Sequence, residues 1–317
     1  FGNTVTSFTG TVTVALGANP GGATLSGTTS VAAAGGVATF STLSIDKTIQ
    51  HIAERELELA VRTFEAHAGS VVVMDPRNGE ILAMATTPRI DLNNYIDYFS
   101  TYDNGSQYNR AIGMAYEAGS VVKILTMAAA LDTGTVTPET TYIDTGSIEV
   151  GGITIWNWNR EPWGQQDMIG CLQHSLNVCM AWIATQMGTH TFYGYMERFG
   201  LGHPTGIDLS GEAMGRLKVP GDADWYPVDL GTNAFGQGVT VTPMQMLAAV
   251  SAVANHGRMV IPHTLYAMVR DGRQYNVPEQ FGATPISEQT ADTLAQMLAT
   301  SLESESSLAL VPGYRVA

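Results

Sequence analysis

The spacing of apolar and polar positions changes along the chain, and each change marks an element. From Asp46, the residues Ile49, Ile52, Ala53, Leu57, Ala60, Val61 and Phe64 recur at helical spacing between Glu, Arg and Lys side chains. That predicts an amphipathic helix, capped by Ser44 or Asp46. The apolar runs Ser70 to Asp75 and Glu80 to Ala85 flank Asp-Pro-Arg-Asn-Gly, whose residues favour a turn, and read as an antiparallel hairpin. A loop rich in Asn, Asp and Tyr, Pro88 to Asn109, follows. Val121 to Leu131 holds Ala, Leu and Met with no Gly or Pro, so it reads as a buried helix opened by Ala118 and Gly119. Further helices are predicted over Val178 to Ile183, over Pro243 to Asn255 after a Thr-Pro start, and over Ser287 to Leu302 with Ser287 as cap. Met259 to Val269 reads as a strand or extended segment. At the other end, Thr9 to Leu16 alternates with period two and Gly35 to Phe40 follows a glycine turn, which predicts short strands.

Composition separates residues 1–44 from residues 45–317. The first stretch carries no charged side chain and is dominated by Gly, Thr, Ala, Ser and Val. It looks like part of a bacterial immunoglobulin-like repeat, too short for a sandwich of about seven strands, or else it is a low-complexity linker. The remainder is apolar enough, at 44% over the whole chain, for a sizeable core. The formal charge of −14, from 15 basic and 29 acidic side chains, argues against nucleic acid and against electrostatic docking on anionic lipid. No apolar run approaches the roughly 18–20 residues that cross a bilayer, and Phe1 opens without the pattern of a signal peptide. On one continuous helix, Cys171 and Cys179 would lie roughly 12 Å apart. That is beyond the ~7 Å reach of a disulfide, so they read as two buried thiols and leave the redox compartment open.

The candidate chemistry centres on Ser120 and Lys123. A serine hydroxyl needs a base within reach, and residues three apart share a helix face. Burial or a helix N-terminus would lower the lysine pKa and make it that base. A Ser-x-x-Lys pair also arises by chance as a helix cap followed by a solvated lysine; a second element, Ser175-Leu176-Asn177, gives it weight. Ser175 could relay a proton, and Asn177 could hold substrate or the lysine. Trp156, Trp158 and Trp163 either line a peptide groove or pack in the core. His174 is an incidental neighbour. Seven scattered His, without a Cys-x-x-Cys or His-Glu-x-x-His, argue against a metal site. Gly236-Gln237-Gly238 lacks the third glycine and acidic partner of a nucleotide loop.

From about Ser44 the chain resembles the transpeptidase domain of class B penicillin-binding proteins, the division and elongation type. The matching stretches are Ala68 to Ala85, the Ser120 motif, Ser175 to Asn177, Thr205 to Glu212 and Phe235 to Pro243. The resemblance implies an α/β fold of α+β type, the penicillin-binding transpeptidase and serine β-lactamase fold, behind a small β-rich segment. It implies catalytic roles for Ser120, Lys123, Ser175 and Asn177, and Gly236, Gln237, Gly238 and Trp158 are the candidate substrate contacts. Ser120 would attack a D-alanine carbonyl in a peptidoglycan stem peptide, β-lactams would acylate it, and no cofactor would be needed. An exported protein on the extracytoplasmic face of the membrane, with divisome or elongasome partners, is implied as well. In relatives a Lys-Thr-Gly strand follows near the end. No Lys-Thr-Gly occurs here, so the domain is expected to be C-terminally incomplete, with an exposed apolar patch and an incomplete central sheet. The competing readings are a β-lactamase or β-lactam sensor and a non-enzymatic interaction module.

Overall fold

The computed structural model describes residues 11–13, 30–32, 47–89, 109–270, 273–304 and 309–317. These fall into two compact units: residues 1–75, 80–90 and 263–279, and residues 76–79, 91–262 and 280–317. In the first unit, β1 (Thr11–Thr13) pairs antiparallel with β2 (Ser30–Ala32). The expected strand over Gly35 to Phe40 and the caps at Ser44 and Asp46 lie outside the described residues. Helix α1 (Lys47–Thr63) covers the hairpin of β3 (Gly69–Met74) and β4 (Ile81–Thr87). Ala53 and Leu57 of the helix meet Ala83 and Ala85 of the strand in a small core. Apolar as it is, β3 is only partly buried along its whole length.

Only the end of the segment Met259 to Val269 is a strand. Residues Ala267–Arg270 pair with Arg273–Asn276 in an exposed hairpin. Val260 makes an isolated bridge to Phe281, and Pro262, which has no N–H to donate, interrupts the run.

The second unit holds the larger core. Its chain enters through α2 (Arg110–Gly113) and β5 (Tyr116–Glu117), then a 3₁₀ turn at Gly119–Val121, and then α3 (Val122–Asp132). Apart from Lys123, Thr126 and the terminal Asp132, helix α3 is apolar on every face, as suits a helix surrounded by others. Leu125 and Met127 are completely buried.

Two small antiparallel pairs follow. β6 (Tyr142–Asp144) pairs with β9 (Gly164–Gln166), and between them β7 (Ser147–Val150) pairs with β8 (Ile153–Trp156). Next come α4 (Met168–Gln173), α5 (Asn177–Met187) and α6 (Thr189–Arg198). Strand β10 (Arg216–Leu217), helix α7 (Asp229–Asn233) and strand β11 (Val239–Val241) lead to α8 (Pro243–Ala254) and α9 (Glu288–Ser304). β11 joins β10 to β5 in a three-stranded sheet.

Helix α3 packs against α5, α6, α8 and α9 and is the centre of this unit. Local chemistry sets the boundaries of its neighbours. Thr242 and Gln245 form a reciprocal capping box at the start of α8. Ser287 accepts the Thr290 N–H at the start of α9. At the C-terminus of α3, Asp132 accepts hydrogen bonds from Tyr195, Ser287 and Thr290, which ties α6 and α9 to it. Burial pushes the Asp132 carboxyl up, but those hydrogen bonds outweigh it and its pKa is lowered.

Truncating Leu125 to Ala should cost about 2–5 kcal/mol of unfolding free energy. Urea denaturation followed by circular dichroism checks it. A loss below about 1 kcal/mol would show that α3 is not the packed centre of the unit.

Candidate active site

Ser120 lies in the 3₁₀ turn that opens α3, and its side chain is exposed. Lys123 follows one turn later on the same face but is only 2% exposed. The two do not bond directly: among the described residues Lys123 Nζ donates to the Ser175 hydroxyl (2.8 Å) and to the Ser175 carbonyl (2.5 Å). Ser175 Oγ in turn lies 3.1 Å from Ser120 Oγ. The sequence spacing predicted hydroxyl and amine side by side; instead a second hydroxyl stands between them. Burial pushes the Lys123 pKa down from 10.5 to about 8.

These groups open onto a cavity of about 250 Å³. Leu172, Gln173 and Ser175 form one side, and Leu298, Ser301 and Leu302 of α9 form another. Among the described residues, no side chain that lines it carries a carboxylate.

Ser175 has a left-handed backbone, with φ of +51°. That residue breaks the helix expected to run through both cysteines. Met168–Gln173 stops, the chain turns at His174 to Leu176, and α5 starts afresh at Asn177. The turn brings the Cα atoms of Cys171 and Cys179 to 6.1 Å, and they form a disulfide. The expectation of two buried thiols is therefore wrong. It assumed one straight helix, and the left-handed residue removes that premise. His174 stacks on Trp163 with ring centroids 4.2 Å apart.

The remaining candidates fall around this centre. Asn177 donates from Nδ2 to the Trp156 carbonyl (3.2 Å). Gly236 backs the nucleophile turn: its carbonyl accepts the Gly119 N–H (3.2 Å), its φ is +83°, and a Cβ there would sit 2.6 Å from the Gly119 carbonyl carbon. Gly238 N–H bonds Glu117 Oε1 (2.9 Å), so these two glycines support the turn from behind. Gln237 is exposed. Trp158 is 72% exposed and does not line the cavity, whereas Trp163 packs against the core, so the three tryptophans share no single role.

Sequence reasoning passed over Asp144 and Asn157, both almost completely buried and hydrogen-bonded to each other. The signal that could have found them is a pair of polar residues in otherwise apolar strand ends. At the surface, His256, Glu288 and Asp292 bring possible ligand atoms within 4.8 Å of one another. There His256 Nδ1 already hydrogen-bonds Asp292 (2.9 Å), joining the end of α8 to α9 without an ion.

A family model described as the penicillin-binding protein transpeptidase domain matches residues 69–317. The chain belongs to that family. Stage V sporulation protein D of Bacillus subtilis is 35% identical over 279 residues, covering 86% of this chain and 42% of that protein. Peptidoglycan D,D-transpeptidase MrdA of Escherichia coli is 33% identical over 226 residues, covering 65% of this chain and 35% of MrdA. The crystal structure of penicillin-binding protein 3 of Mycobacterium tuberculosis with aztreonam superposes with a TM-score of 0.74 at 30% identity, over 85% of this chain and 58% of that one. The transpeptidase domain thus has its family's α/β fold, and the chain spans less than half the length of these curated relatives.

The disulfide closes a short loop around Ser175. Replacing Cys171 and Cys179 together by Ser should cost the transpeptidase domain about 2–3 kcal/mol. Thermal unfolding with and without reductant checks it: reductant should lower the Tm of the parent and leave that of the double variant unchanged.

Proposed function

We propose that this domain is a serine D,D-transpeptidase that cross-links peptidoglycan stem peptides and is acylated by β-lactams. The observation that carries the reading is the continuous hydrogen-bonded path from Ser120 through Ser175 to the buried Lys123. With Lys123 neutral, Ser120 Oγ attacks the carbonyl of the penultimate D-alanine, its proton passes to Ser175, and the Ser175 proton passes to Lys123 Nζ. The Ser120 backbone N–H, in the 3₁₀ turn that opens α3, would be a donor to the developing oxyanion. Collapse of the tetrahedral intermediate breaks the peptide bond, and Lys123 returns the proton through the Ser175 hydroxyl to the departing D-alanine amine. An amine of a second stem then attacks the ester, Lys123 takes the proton that this amine gives up, and Ser175 passes it back to Ser120 Oγ as the ester C–O bond breaks.

The lining supports transfer to an amine over hydrolysis. A β-lactamase needs a base that activates water against the ester, and among the described residues no side chain lining the cavity is a carboxylate. The names of relatives point the same way: MrdA is a peptidoglycan D,D-transpeptidase, and the Mycobacterium tuberculosis protein is crystallised with aztreonam. An extracytoplasmic location fits the Cys171–Cys179 disulfide, since such bonds persist in oxidising compartments. No described helix is long and apolar enough to cross a membrane. Association with division or elongation proteins of the membrane belongs to the same proposal.

Incubation with benzylpenicillin followed by intact-mass measurement tests the reading. One adduct per chain is expected on the parent and none on Ser120→Ala. Failure of the parent to acylate at any pH would overturn it. The rate constant for acylation should rise with pH through about 8, because the neutral lysine is the active form and deprotonation accumulates as pH climbs past its lowered pKa. A rate flat from pH 6 to about 9 would show that Lys123 is not the base.

A further inference from the structure

The first turn of α5 has an unusual anchor. Its N-cap residue is Leu176, whose side chain caps nothing, so the first N–H groups of the helix need an acceptor from elsewhere. Asn157 supplies it, from 21 residues earlier in the chain: its Oδ1 accepts the Val178 N–H at 3.2 Å. One residue before, the Trp156 carbonyl accepts from the Asn177 side chain. The Ser175-Leu176-Asn177 element is therefore fastened on this side to a two-residue stretch at the end of β8.

Asn157 is only 2% exposed, and its amide has one workable orientation. Nδ2 donates to both oxygens of Asp144, at 2.9 and 3.0 Å, and to the Glu161 carbonyl at 3.3 Å. Turning the amide over would set NH₂ against the Val178 N–H and oxygen against a carboxylate, which is repulsive at both ends. Asp144 is 1% exposed, and its Oδ1 also takes the N–H groups of Gly146 (2.8 Å) and Trp163 (3.2 Å). A buried carboxylate thus selects the face that an amide shows to a helix end. That helix end adjoins Ser175, whose left-handed backbone costs free energy and persists only where its surroundings over-determine it.

We propose that Asp144 and Asn157 are positioning residues for the transacylation, holding α5 and the Ser175 hydroxyl where it bridges Ser120 and Lys123. This rests on the serine acyl-enzyme reading above. Neither residue touches the reacting atoms. Their effect reaches the chemistry through the Val178 N–H and the turn that precedes it.

The test uses the full chain with benzylpenicillin and measures the acylation rate constant per folded molecule by intact mass. Measurements are made well below Tm, beside a thermal unfolding curve for each variant. Asn157→Ala should slow acylation about 100-fold, the scale of a misplacement near 1 Å, with the pH midpoint unchanged. Asp144→Asn should slow it as well, because two amides no longer select one orientation. A double variant that combines Asp144→Asn with Asn157→Asp exchanges the places of carboxylate and amide. The carboxylate introduced at position 157 can then accept from both the Val178 N–H and the amide introduced at position 144, while the 3.3 Å donation to the Glu161 carbonyl is lost, so the rate should return in part and exceed that of Asn157→Ala.

A parental rate constant in Asn157→Ala with only Tm lowered would assign the pair a purely structural role and overturn the proposal. So would a double variant as slow as Asn157→Ala. If Asn157→Ala does not fold, Asp144→Asn decides, and a parental rate there overturns it. A parent that forms no Ser120 adduct would be a different failure. It would bring down the serine acyl-enzyme reading and this inference with it, whereas a reactive parent with indifferent variants would sink this inference alone.

Discussion

The second unit is arranged around one buried ammonium. Lys123 sits on an apolar helix with 2% of its surface exposed, and Ser175 is its hydrogen-bonding partner, through both hydroxyl and carbonyl. Burying a cation that way is unfavourable, and the drop of its pKa from 10.5 to about 8 corresponds to about 3 kcal/mol against the charged form. In the proposed function, the same burial is what makes this amine available as a base. The packing around it leaves only 2% of the lysine exposed, at the edge of the cavity, while the Ser120 side chain stays exposed.

Holding Ser175 against that amine takes more than the residue itself. Its left-handed backbone ends α4 early and forces α5 to begin without a capping side chain. Two devices compensate, one on each side of the turn. The Cys171–Cys179 disulfide closes the loop covalently. On the other side, Asn157 caps α5 in trans and is itself oriented by a buried carboxylate. Both act on backbone far from Ser120 in sequence, on either side of the turn that carries the Ser175 hydroxyl.

The nucleophile turn has its own support. The Gly236 carbonyl meets the Gly119 N–H, and no side chain fits between these two backbones. Gly238 returns a hydrogen bond to Glu117 two residues before Gly119. The family stretch from Phe235 to Pro243 therefore has a structural reason to be glycine-rich here: it is the back wall of the turn carrying Ser120, with β11 joining β5 in the same sheet. Position in the cleft and support of the cleft are separate jobs, and the glycines do the second.

Local pattern alone determined α1, the β3–β4 hairpin, α3, α8 and α9, because amphipathic spacing, turn residues and caps act within a few residues of one another. Spacing also nominated Ser120 and Lys123 as candidates, whereas Ser175 and Asn177 gained weight only beside that pair and through the family resemblance. Contacts across long separations were beyond it. The break at Ser175, and with it the disulfide, followed from a backbone conformation that a serine adopts only when its surroundings impose it. Nor could spacing tell that Ser175 stands between Ser120 and Lys123, because 52 residues separate that hydroxyl from the lysine. Asp144 and Asn157 looked like ordinary polar residues near turns. Only the packing of β6 and β8 against α5 made them a buried pair, since a carboxylate and an amide acquire their roles from the donors and acceptors that the fold brings to them.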